Sequence, residues 1–139
     1  IVGTQCLRNM RYKEAVHKMQ FTSGTVFSSS SDFCNTMRWI GIVSGQIPNL
    51  SLAASTGVHE PEAVIKALLA GASAVELCSV LYQHGNGIIM QMLTILEEWM
   101  QSQGFKTIGE FKGLLNFKNV PDQSYYERVQ FMKYFSNRD

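Results

Sequence analysis

No apolar stretch in this chain of 139 residues approaches the ~20 that a helix needs to cross a bilayer, so no membrane partner is expected. A signal peptide's apolar core is also missing. The first residues instead carry Arg8, Arg11, Lys13 and Glu14, which a leader's apolar core would not. Charge of one sign is scarce. Twelve Lys and Arg face eleven Asp and Glu for a formal net charge of +1, which gives neither nucleic acid nor an anionic surface a reason to bind. Cysteine is limited to Cys6, Cys34 and Cys78. Three widely spaced thiols make no disulfide framework and no pair at zinc-ligand spacing, and they suit a reducing, cytoplasmic setting. His17 and His84 lack carboxylate or cysteine neighbours at ligand spacing, so no metal site is expected. Internal repeats are absent, and the low-complexity content is the four-serine run Ser28–Ser31.

What is present is the composition of one ordinary globular domain, 45% apolar and 17% charged, with enough apolar side chain for a real core. Ile1-Val2-Gly3 reads as a chain already inside a strand, the start expected of a fragment or a processed protein. Residues 1–20 carry weak periodicity, with Ile1-Val2 read as a strand end and Tyr12 to Met19 as a short helix. Phe21–Asp32 is rich in turn residues, and Gly24 with the serine run argues against a regular element. Ser29 and Asp32 have capping-box spacing, which predicts a helix from near Ser31. It carries Phe33, Met37, Ile40 and Gly41 on one face and finishes before Pro48.

Asn49–Ala54 is short and apolar, the pattern of a strand covered on both faces. The next helix has Pro61 in its first turn between Glu60 and Glu62 and ends at Gly71, the residues that suit a helix start and stop. Ala74–Leu77 reads as a second buried strand. From Ile88 to Met100 the spacing of Ile88, Met92, Ile95, Leu96 and Trp99 predicts a helix with a continuous apolar stripe, ended by Gly104. Two capping boxes follow, Thr107 with Glu110 and Ser124 with Glu127. The second predicts a closing helix with Tyr125, Val129 and Met132 on one face.

Strand, small-residue turn, helix, glycine, strand, small-residue turn, helix is the order of consecutive β/α units, so the expected fold class is α/β with a parallel sheet. Two such strands, with a third near Ile1, are too few to close a barrel, and something else must complete the sheet. The two turns, Ser55-Thr56-Gly57 and Leu77-Cys78-Ser79, fall at equivalent places. In a parallel β/α protein both lie at the carboxyl ends of neighbouring strands, beside helix N-termini. Small side chains let a phosphate reach the backbone N–H groups, and the Thr56 and Ser79 hydroxyls add donors. The other reading of each turn is tight punctuation. Cys78 is read either as an activated thiol or as a small residue that fits, and His59 either as a ligand-facing group or as a solvated loop side chain. The serine run is read as an active-site loop or as plain loop.

The stretch LAASTGVHEPEAVIKALLAGASAVELCSVLYQHG, Leu52–Gly85, resembles the last two β/α units of the dihydroorotate dehydrogenase family, which includes the pyrimidine-reducing domain of dihydropyrimidine dehydrogenase. Thr56-Gly57-Val58 stands for the family's Gly-Gly-Ile, Gly71-Ala72-Ser73 for its small-residue hinge, and Cys78-Ser79 for its second phosphate turn. Upstream, TSGTV and Thr36-Met37-Arg38 are similar to the family's Ser-Gly turn and following helix. EEWMQSQGFKTIGEFKGLL, Glu97–Leu115, is similar to its ending. The likeness spans residues 21–115, leaving 1–20 poorly matched and 116–139 as a helical tail outside it. The resemblance implies the C-terminal part of a (β/α)8 TIM barrel that binds FMN and acts on a pyrimidine-type small molecule, as in oxidation of dihydroorotate to orotate. By carry-over, Ser23 and Gly24 lie near the flavin, while Ser55, Thr56, Gly57, Cys78 and Ser79 hold its phosphate and ribityl end. The family's catalytic-base loop has no counterpart in these residues, so no catalytic residue is expected and the chain alone should be inactive. It is expected as a homo-oligomer or beside a complementary barrel half. The alternatives are a non-flavin barrel enzyme with a phosphorylated substrate, or a non-catalytic half-barrel that oligomerises.

Overall fold

A computed structural model describes Met10–Lys13, Lys18–Phe21 and residues 27–126. It is helix-rich with two small two-stranded sheets. The first is antiparallel, β1 (Met10–Lys13) against β2 (Lys18–Phe21), with Met10 opposite Phe21 and Tyr12 opposite Met19. The short helix expected over Tyr12–Met19 is therefore not formed: both of its ends are strand. The residues alternate apolar and polar in β1 and again in β2, and the register sets the apolar positions opposite one another, a period of two rather than 3.6. The strand end expected at Ile1-Val2 lies outside the described residues.

Ser29 and Asp32 form the capping box, with the Ser29 N–H donating to Asp32 Oδ2 at 2.9 Å. A 3-10 turn, Ser30–Asp32, then leads into α1 (Phe33–Gln46). Phe33, Ile40 and Gly41 are its buried face and Met37 packs beside them. The helix stops two residues before Pro48, whose ring disfavours helical backbone at the residue before it.

The parallel unit is β3 (Ala53–Ala54), α2 (Pro61–Ala70) and β4 (Ala74–Val75), with Ala53 opposite Ala74 and Ala54 opposite Val75. Pro61 opens α2 and Gly71 ends it at φ 114°, with Gly71 N–H on the Leu68 carbonyl and Ala72 N–H on that of Ala67. Both strands are shorter than their sequence pattern, and they are not covered on both faces. Ala54 is fully buried, whereas Ala53 and Ala74 are exposed. Small apolar residues read alike whether or not a second layer covers them. Among the described residues the sheet has these two parallel strands and no closed barrel.

α2 is the centre of the packing, buried on two sides. Ala63, Ala67 and Ala70, at i, i+4 and i+7, join Phe33, Ile40, Ala54, Val58 and Ala72 in one cluster. Ile65 and Leu68 join Leu96 and Phe111 in the other. A helix with apolar residues on opposite faces must be covered on both. The second cover is α4 (Gly87–Gln103), reached through α3 (Ser79–His84) and ended by Gly104 at φ 78°. Met92 and Leu96 are its buried residues. The Thr107–Glu110 box opens α5 (Ile108–Phe111). Phe111 is fully buried and meets Trp99 edge-on at 5.1 Å and Phe105 at 5.4 Å.

The last carbonyls of a helix have no partner within it, and here the rest of the chain supplies them. Gly113 N–H donates to Leu68 O at 3.0 Å, Leu115 N–H to Leu69 O at 2.9 Å and Ser44 Oγ to Ala70 O at 2.6 Å. The tail then crosses α1. Phe117 N–H donates to Gly41 O, the Tyr126 ring lies against Gly41, its hydroxyl donates to Leu115 O, and Arg38 Nε donates to Tyr126 O at 2.6 Å. The second box takes another form. Asp122 is the cap, accepting from Ser124 N–H at 2.9 Å, and opens a 3-10 turn, Gln123–Tyr125, in which Tyr125 is exposed. Glu127, Val129 and Met132 lie outside the described residues. Among those described, no helix is long and apolar enough to cross a membrane.

Candidate functional site

The two small-residue turns sit at the carboxyl ends of paired parallel strands. In the first, Thr56 and Gly57 both have φ 81°, the left-handed region that a β-branched residue rarely occupies. Thr36 Oγ1, from the second turn of α1, donates to Ser55 O at 2.8 Å and Thr56 O at 3.1 Å. Gly57 is buried. A Cβ built on it would lie 2.7 Å from Phe33 Cα and 2.9 Å from Asp32 C. The close approach that demands glycine here is made by the start of α1, a contact within the fold.

In the second turn Cys78 is exposed with a free thiol, and Ser79, the first residue of α3, is buried. Ser79 Oγ accepts from the Ser28 N–H at 3.0 Å and lies 3.1 Å from Ser28 Oγ. Ser28 Oγ is in turn 3.3 Å from His59 Nε2. The serine run, the β3–α2 turn and the β4–α3 turn thus meet in one polar network. Beside it the ring of Phe27, next to the serine run, packs on the ring of Tyr82 in α3 at 5.6 Å.

Of the residues expected at a site, Ser79 joins this network. Ser55, Thr56 and Gly57 form the turn that leads to His59, and Cys78 is adjacent to Ser79. Ser23 and Gly24 lie outside the described residues. Ser28, in a run read as an active-site loop or plain loop, and His59, read as ligand-facing or solvated, also join the network, and the sequence does not place them together. The contact between them spans 31 positions, and no periodicity or spacing signals it.

The network consists of two hydroxyls, a backbone N–H and an imidazole. These are hydrogen-bond donors of the kind that hold an anion. Among the described residues no three His, Cys, Asp or Glu side chains group together. Compared with known proteins, the chain matches no family model and no curated protein.

Proposed function

We propose that the chain is the phosphate-binding, C-terminal portion of an FMN-dependent oxidoreductase of dihydroorotate dehydrogenase type, working on a pyrimidine-type small molecule in a reducing, cytoplasmic setting. The observation that carries this reading is the meeting of Ser28, His59 and Ser79 at the carboxyl ends of β3 and β4. In parallel β/α folds that edge is where phosphates bind. Ser28 and Ser79 exchange their mutual bond for bonds to phosphate oxygens, and His59 Nε2–H donates a third. Charge-assisted bonds of this kind are roughly twice as strong as the neutral ones they replace.

FMN, when bound, supplies hydride-transfer chemistry. The residues here would bind and orient its phosphate. The exposed Ala53 and Ala74 face of the two-stranded sheet supports completion of a TIM barrel by a complementary half or a second copy. Because this reading assigns the network the phosphate and not the isoalloxazine ring, a non-flavin barrel enzyme with a phosphorylated substrate is the second reading.

Titration of the chain with FMN, riboflavin and inorganic phosphate, followed by flavin fluorescence and calorimetry, tests both readings. The flavin reading expects FMN to bind at least about tenfold more tightly than riboflavin, and S79A to erase that preference. Phosphate binding without any preference for FMN favours the second reading. A chain indifferent to all three ligands overturns both.

A further inference from the structure

Thr36 holds the β3–α2 turn from outside it, without belonging to the polar network. Its single hydroxyl proton is shared between two successive carbonyls, Ser55 O at 2.8 Å and Thr56 O at 3.1 Å, a three-centre bond. Peptide units are planar, and no cis bond occurs among the described residues. In a trans unit the N–H points opposite to the C=O. Two carbonyls aimed at one atom of α1 therefore aim two N–H groups, those of Thr56 and Gly57, away from α1.

That arrangement is not the one the residues adopt unaided. Thr56 is held at φ 81°, the left-handed region in which a β-branched residue is strained. The peptide between Thr56 and Gly57 can rotate because glycine tolerates either sign of φ. A rotated peptide presents its carbonyl oxygen where the N–H now points, and a carbonyl repels an anion. Phe33 and Asp32, pressed on Gly57, fix where the turn lies. They do not fix which way its peptides face.

The geometry points to Thr36 as a positioning residue. Its hydroxyl sets the polarity of the Ser55–Gly57 turn so that N–H groups rather than carbonyls face an incoming phosphate. This rests on the phosphate reading above, and it adds a residue on α1 to a site built from strand-end turns.

The test uses the full chain, 15N-labelled, as wild type, T36V and T36S. Valine keeps the shape and removes the hydroxyl, whereas serine keeps the hydroxyl. Amide shifts of Thr56 and Gly57 are read without ligand, and inorganic phosphate is then titrated. In T36V both amides are expected to move and phosphate affinity to fall by about tenfold, the loss of roughly one oriented hydrogen bond. T36S restores both, which a mere packing role of the methyl group would not predict. If T36V does not fold, T36A takes its place, alanine being the strongest helix former. Unmoved amides, or wild-type phosphate affinity in T36V, overturn the inference. A wild-type chain that binds neither phosphate nor FMN overturns the functional reading and the ligand half of this one. The ligand-free amide shifts then decide separately whether Thr36 orients the turn.

Discussion

Replacing Gly57 with alanine separates two reasons for a glycine in the β3–α2 turn, and Gly104 is the control. Both have positive φ, 81° and 78°. At Gly104 an added Cβ meets nothing within 4 Å among the described residues. G104A therefore incurs only the left-handed strain of about 1–2 kcal/mol, offset by about 0.4–1 kcal/mol of entropy removed from the unfolded chain. The net cost is about 1 kcal/mol. At Gly57 the new Cβ lies 2.7 Å from Phe33 Cα and 2.9 Å from Asp32 C. These are backbone atoms at a helix start and cannot swing aside as a flexible side chain would. Overpacking of this kind adds about 1–3 kcal/mol, so G57A is expected to cost about 2–4 kcal/mol. Total stabilities of such domains are about 5–15 kcal/mol, so both values are measurable. Urea unfolding followed by far-ultraviolet circular dichroism, with the m-value checked for constancy, gives each difference. If G57A destabilises no more than G104A, the start of α1 does not press on the turn, and the structural account of this glycine fails.

Two further outcomes concern the packing around α1 and α2. Burial raises the Tyr126 phenol above its ordinary value of 10.0. The unfolded chain then loses that proton first, so this stability contribution is whole below about pH 10 and falls as pH rises through the higher folded value. Denaturant midpoints compared between about pH 9 and about pH 11 should fall more steeply in wild type than in Y126F; equal slopes refute the assignment. Phe111 is fully buried between α2, Trp99 and Phe105. F111A should cost about 3–5 kcal/mol in the same urea assay, and a loss under about 1 kcal/mol would mean that the second core cluster contributes little.

Where a feature depends on neighbours along the chain, the sequence pattern and the structure agree. The Ser29–Asp32 and Thr107–Glu110 boxes, Pro61 at the start of α2, Gly71 and Gly104 at helix ends and the stripe on α4 are of this kind. Each is decided within a turn or two by capping geometry, backbone freedom or the 3.6-residue period. The failures are also local in origin. The segment holding Tyr12 and Met19 has too little periodicity to choose helix over antiparallel strands, and Asp122 takes the capping role expected of Ser124 two residues later.

The sequence by itself therefore determined the order of β/α units, the helix ends and the two turns with little side chain, because those depend on short-range sterics and hydrogen bonding. Only the tertiary structure decided what fills the space beside each turn. The start of α1 occupies the Cβ side of Gly57, Thr36 takes the two carbonyls, and Ser28 reaches Ser79 across 51 positions. Such contacts depend on how whole helices pack against the sheet. A run of small residues permits close approach equally to a ligand and to the chain's own backbone, and at Gly57 the nearest approach is the chain's own.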